Sequence, residues 1–354
     1  VVAAPVLDLA GEVAGIVYGS RQRGTGSAGP EIRPLEAQVV QVLAAIVAAG
    51  LVRQEKEAEA LRLRFQFEQF FSRALAEELE RDPQLLEGRE REVTILFSDL
   101  RDFSRLSETM GPQELFALMQ DVMDFQTEEI RQYGGVIVDY YGDGLLAMWN
   151  SPQEQPDHAA VACRAALAIR DGLAQVSAGW EEKIGEPLRL GIGLNTGQAL
   201  VGNTGSKSKF KYGPMGPTVN LASRVEDATK SLGVPILVTG STRRQLNESF
   251  ATRRLCTARL AGVAEGVDLH ELHSEGASPE WLERRTAYET ALEHFESRRW
   301  GETCQKIYPL LQDLESKYDV PSLNLLSRAV DCLKHQPEHF DPCLDLKHPG
   351  GKAK

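Results

Sequence analysis

Four polar side chains, in three separate stretches of the sequence, have the types and settings that handle phosphate and divalent cations. Asp99 closes the apolar run at 93–97 and opens Leu100-Arg101-Asp102-Phe103-Ser104, so an apolar strand ends in a carboxylate and turns directly into a helix. Asp143 lies in Tyr141-Gly142-Asp143-Gly144. Each has a structural explanation by itself, because Asp caps helices and Asp-Gly suits a hairpin turn. At neighbouring strand ends the two acquire another meaning. A pair of carboxylates can hold a pair of divalent cations, and Mg²⁺ takes few carboxylates together with phosphate oxygens. Asn220 and Arg224 stand four apart in Gly216-Pro217-Thr218-Val219-Asn220-Leu221-Ala222-Ser223-Arg224, hence on one helix face. A planar guanidinium suits phosphate oxygens and an amide suits a sugar oxygen, although the same two residues would also make an ordinary surface pair.

The elements that must position these residues follow from hydrophobic period. A continuous apolar run at 93–97 predicts a strand, and Leu115, Leu118, Met119, Val122, Phe125 and Ile130 predict a helix ended by Gly134-Gly135. Strands at 136–141 and 145–149 flank the Gly-Asp-Gly turn, an Ala-rich helix covers 158–176, and another strand covers 188–194. That β-α-β-β-α-β order predicts an α+β fold with a ferredoxin-like core. It lays the first strand beside the hairpin and brings Asp99 to Asp143. A second hairpin near 202–205, a helix near 217–231 and later strands extend the domain, predicted over 89–275.

Residues 1–50 predict a hairpin joined at Ala10-Gly11, a Gly-rich loop and a helix from Pro34, too little to bury a core alone. Residues 51–88 predict a long connecting helix with a heptad-like seam at Leu63, Phe67, Phe70 and Ala74, either a signalling coiled coil or a stripe on the chain's own core. Residues 276–354 predict a separate helical appendix and an irregular tail. Tyr288, Ala291, Leu292 and Phe295, then Trp300, Ile307 and Leu311, describe two amphipathic helices like one tetratricopeptide hairpin.

Among 354 residues, 39 Lys and Arg against 51 Asp and Glu leave a net charge of −12, the wrong sign for a nucleic-acid surface. Five scattered cysteines without a Cys-x-x-Cys pair read as reduced thiols and predict a cytoplasmic setting. The most apolar window, 39–52, falls short of the roughly 20 residues that cross a bilayer, so no transmembrane segment is expected.

Three stretches together, FSDLRDFSRLSE at 97–108, YGDGLLAMW at 141–149 and GPTVNLASRVE at 216–226, resemble the catalytic domain of class III nucleotidyl cyclases, the adenylyl and guanylyl cyclase family. The likeness covers about half the chain. It implies that Asp99 and Asp143, with the Leu100 carbonyl, hold two Mg²⁺ or Mn²⁺ ions per site. It also implies that the backbone of Leu100, Arg101, Asp102, Phe103 and Ser104 faces the phosphates. Asn220 would orient the ribose and Arg224 would stabilise the α-phosphate while ATP closes to cyclic AMP. Gly142 flanks the second metal aspartate, and Asp139, Gly213 and Met215 fall at substrate-binding positions. The family works as a homodimer with sites shared between chains. Residues 1–50 resemble the C-terminal part of a GAF sensory domain, which would make them a regulatory input.

Departures from the family pattern accompany these matches. Asp139 stands where adenylyl cyclases carry a purine-reading lysine, Gly213 where they carry its Asp or Thr partner, and Ala261 where they carry a phosphate-binding lysine. Asp102 replaces a customary glycine. A carboxylate at 139 is also what guanylyl cyclases use, so GTP is the alternative substrate, and a catalytically silent dimerisation module is the alternative outside enzymes. Lys207, Lys209 and Lys211 read as a solvated basic turn, with compensation for the missing lysine as the other reading.

Overall fold

The structure is a computed structural model that describes residues 1–9, 11–20, 32–70, 75, 78, 81–206, 210–312 and 319–346, without the side chains of 60–70 and 83. The chain divides into two compact units, Val1–Ala76 and Glu77–Lys354. In the first, β1 (Val2–Leu7) and β2 (Val13–Gly19) form the expected antiparallel hairpin, and α1 (Pro34–Phe70) starts at the expected proline. Ala4 and Val6 of β1 bury against Val40 and Ala44 of α1. Three of the four heptad-like side chains and Ala74 lie outside the described residues. Because α1 runs unbroken, its apolar stretch extends well past the 39–52 window. Pro34–Glu59 is long and apolar enough to cross a membrane by length and composition, and only 6% of that window is buried. The expectation that no segment meets this requirement therefore does not hold.

The second unit holds a nine-stranded sheet. Its core comprises β3 (Arg89–Leu100), α2 (Phe103–Thr109), α3 (Pro112–Gln132), β4 (Val136–Tyr141), β5 (Gly144–Trp149), α4 (His158–Ala178), a short α5 (Glu181–Ile184) and β6 (Leu190–Asn203). These strands lie in the order β6-β3-β5-β4, the ferredoxin-like arrangement. All six residues of β5 are buried, as a strand covered on both faces requires. One face carries α3 and α4, whose Leu118, Val122, Ile130, Ala162, Ala166 and Ile169 join Leu96 and Trp149 in the core.

The sheet continues through β7 (Tyr212–Met215), paired with β6, and through β8 (Ile236–Thr239), β9 (Phe250–Leu260) and β10 (Val267–Glu275). Between them run α6 (Pro217–Leu232) and the short α7 (Gly240–Arg244). Along β8, Ile236 and Val238 enter the first core while Leu237 enters a second on the opposite face. That second core joins Val225 and Leu232 of α6 to Tyr288, Phe295, Trp300, Ile307 and Leu325. The last five belong to α8 (Pro279–Glu296), α9 (Trp300–Ile307) and α10 (Val320–His335). The C-terminal region is therefore not separate. Its first two helices are as predicted, but it shares the core of the sheet, and Arg253 of β9 is ion-paired to Asp319 at 2.8 Å. A third helix and β11 (Leu344–Leu346), parallel to β9 at the sheet edge, were not expected from the sequence.

Candidate active site

Register brings the two predicted metal carboxylates together. Asp99 of β3 pairs with Gly144 of β5, and Tyr141 pairs with Gly144 across the two-residue turn Gly142-Asp143. Gly142 has φ +62°, the left-handed conformation such a turn demands. The Asp99 carboxyl is pushed up to about 6, first by burial and then by the charge and hydrogen bond of Asp143, with Arg101 pulling it back. The neighbouring like charge adds to the effect of burial, and a cation between the two carboxylates would oppose it. Among the described residues, no group of three or more His, Cys, Asp or Glu side chains could hold a metal ion. Two carboxylates would thus need oxygens from backbone and nucleotide to complete a shell, which is the donor set Mg²⁺ prefers.

The loop after Asp99 differs in detail from expectation. The Arg101 N–H donates to the Arg189 carbonyl at 2.8 Å, so this amide is occupied within the fold. Asp102 has φ +60°, which explains a glycine preference there, and its carboxylate meets Arg189 at 2.7 Å. The extra negative charge of Asp102 is thereby balanced within the fold. The Arg101 guanidinium turns inward, 3.4 Å from Glu226 of α6, and donates to Thr229. Burial pushes the Glu226 carboxyl up to about 8 against the pull of Arg101.

Asn220 and Arg224 lie on α6, which rests on β6 through a glycine face in Leu190-Gly191-Ile192-Gly193. A Cβ on Gly193 would strike the α6 backbone, 2.6 Å from Glu226 Cα. Both residues line a cleft of about 660 Å³ with Asn195, Thr196, Ser241 and Ala261. That volume suits a nucleotide-sized ligand. Arg224 is held by Asp227 at 3.0 Å. Neither Asp99 nor Asp143 lines this cleft. The sequence reading did not find Asn195, Thr196 or Ser241, and only the strand–helix packing places them there.

At the predicted purine position, Asp139 of β4 is ion-paired with Lys211 at 2.5 Å, and the Lys211 ammonium also donates to the Tyr141 hydroxyl at 2.9 Å. Lys211 is therefore not part of a solvated turn; Lys207 and Lys209 lie outside the described residues. Gly213 abuts Val138, and Met215 is exposed.

Residues 86–273 match the family model described as adenylate and guanylate cyclase catalytic domain. The chain belongs to that family. Adenylate cyclase 1 of Rhizobium meliloti (strain 1021) is 35% identical to this chain over 182 residues, 51% of this chain and 27% of that protein. An adenylate cyclase of Anabaena cylindrica is 33% identical over 187 residues, 51% of this chain and 37% of that protein. The chain thus spans well under half the length of these relatives. Among solved structures, the adenylyl cyclase CyaB from P. aeruginosa aligns over 53% of this chain and 97% of its own, with 27% identity and a TM-score of 0.50. A bacterial light-regulated adenylyl cyclase shares the fold over 66% of this chain and 67% of its own, with a TM-score of 0.54 at 23% identity.

Proposed function

We propose that the chain is the catalytic part of a homodimeric adenylyl cyclase that converts ATP to 3′,5′-cyclic AMP and pyrophosphate. The Asp99–Asp143 pair carries the reading, because two carboxylates so close that one raises the proton affinity of the other form an incomplete cation site. Mg²⁺ or Mn²⁺ ions held there, with the Leu100 carbonyl and phosphate oxygens, would supply acidity to the ribose 3′-hydroxyl and grip the triphosphate. The 3′-oxygen attacks the α-phosphorus, its proton leaves to solvent, and the bond to the β-phosphate bridging oxygen breaks. Asn220 holds the ribose. Arg224 exchanges Asp227 for the α-phosphate and takes up its developing charge.

ATP is supported by the two adenylate cyclase relatives. Shared sites are supported by the absence of Asp99 and Asp143 from the cleft that Asn220 and Arg224 line. Residues 1–50 and 51–88 would act as a GAF-like input and its connecting helix.

The test is cyclic nucleotide formation by purified protein with ATP or GTP, each with Mg²⁺ and Mn²⁺. Cyclic AMP formation that Asp99→Ala abolishes is the expected result. A GTP preference above about tenfold, a difference of about 1.4 kcal/mol, would replace the substrate. Activity that survives Asp99→Ala would place the chemistry elsewhere.

A further inference from the structure

We propose that Asn195 is the positioning residue for Asn220, fixing the first turn of α6 by donating from its side-chain amide to the Thr218 carbonyl. The inference rests on the ribose-holding role given to Asn220 above and assigns what keeps that residue in place. Asn220 is exposed and its side chain makes no hydrogen bond among the described residues, so its place is set by the backbone that carries it. That backbone begins without a side-chain cap, because α6 is preceded by Gly216. The sheet supplies the anchor instead. Thr218 Oγ1 donates to the Gln198 carbonyl at 2.5 Å, and Asn195 Nδ2 donates to the Thr218 carbonyl at 2.9 Å. Both partners belong to β6, and Thr218 stands two residues before Asn220, in the same helical turn.

Valence fixes which way the Asn195 amide points. A carbonyl only accepts, so the group facing Thr218 is the NH2 and Oδ1 faces away. There Oδ1 accepts the Thr239 hydroxyl at 2.8 Å and the Ser241 hydroxyl at 3.1 Å. Thr239 in turn lies 3.2 Å from Thr242 Oγ1, Thr242 lies 3.0 Å from Thr196 Oγ1, and Thr196 lies 2.8 Å from Thr94 Oγ1. Asn195, Thr94, Thr196, Thr239 and Thr242 are all buried. A buried carboxamide costs stability wherever a partner is missing, and the satisfied hydroxyls behind this one resist its turning. Packing alone would be served by an apolar side chain at 195. The amide adds direction, because it holds one carbonyl of α6 at one register against β6. Loss of that bond frees the first turn to fray, and Asn220 with it, while the body of the helix stays seated on Gly193.

A double-mutant cycle on nucleotide affinity separates positioning from simple loss of stability. Asn195→Asp keeps the shape and the oxygen that accepts from Thr239 and Ser241, and removes the donor to Thr218. Asn195→Ala removes the whole amide and serves if the carboxylate unfolds the protein. Dissociation constants for ATP are measured by calorimetry with Ca²⁺ in place of the catalytic cation, in the wild-type and Asn220→Ala backgrounds. In the wild-type background either substitution should weaken ATP binding about fivefold, and in the Asn220→Ala background by less than about 1.5-fold. Urea unfolding should register the same loss of midpoint in both. A merely structural role for Asn195 would weaken ATP binding equally in the two backgrounds, and that result, or no loss in either, overturns the assignment. Product formation reads the cyclase proposal separately. Coupling without cyclic AMP would keep the positioning role and remove the catalytic reading, whereas cyclic AMP without coupling would do the reverse.

Discussion

Half-buried Asp99 and buried Glu226 show how carboxylates report on the site before any cation arrives. Burial raises Glu226 from 4.5 to about 8, and burial with Asp143 raises Asp99 from 3.8 to about 6. Folded protein therefore holds protons that the unfolded chain releases, and stability falls as pH rises through that interval. His270, pushed down by burial to about 4, acts oppositely below 6.5, where the unfolded chain binds the extra proton. The window from pH 6.5 to 8 isolates Glu226. Without added metal, the thermal midpoint should fall across it, and Glu226→Gln should remove most of the fall; a midpoint that is flat in the parent protein would contradict the buried charge. Asp99, Asp143, Asn220 and Arg224 were singled out from sequence because each lies in one of the three stretches that together resemble the family. The Lys211–Asp139 ion pair was not legible, since its partners lie 72 residues apart and a lysine beside a turn has an ordinary solvated explanation.

Gly193 decides how closely α6 can approach β6, and so where Asn220 and Arg224 stand. Its missing Cβ is replaced by helix backbone, which cannot rotate aside as a side chain would. Gly193→Ala should cost about 1–3 kcal/mol of unfolding free energy by overpacking. It should also lower kcat while leaving Mn²⁺ affinity at Asp99 and Asp143 near the parent value, because β3 and β5 pair without α6. Urea unfolding, steady-state kinetics and metal titration separate these quantities, and parallel losses of metal affinity and turnover would refute the selective displacement. The β-α-β-β-α-β core was readable because period 2 and period 3.6 alternate cleanly through it. The glycine face of β6 carries no hydrophobic period, so helix docking was invisible. So was β11, whose three residues are a strand only because the edge of β9 is there to pair with.

Across the catalytic unit, Asp99 and Asp143 do not line the Asn220–Arg224 cleft, and the shared-site proposal takes the two as incomplete halves. On that proposal a twofold pair of chains would complete both, each site taking its carboxylates from one protomer and its amide and guanidinium from the other. Asp99→Ala and Arg224→Ala should each abolish or cripple turnover alone, the second by about a hundredfold to a thousandfold if Arg224 carries transition-state charge. Mixed in equal amounts after refolding, half the dimers combine one of each. In every such dimer one site carries both lesions and the other carries neither. Activity should return to about a quarter of the parent value, half of the dimers multiplied by half of their sites. Product formation by the mixture, with heterodimers counted by differential tagging, measures this directly. A mixture no more active than its components, with heterodimers present, would mean that a single chain must supply all four residues to its own site.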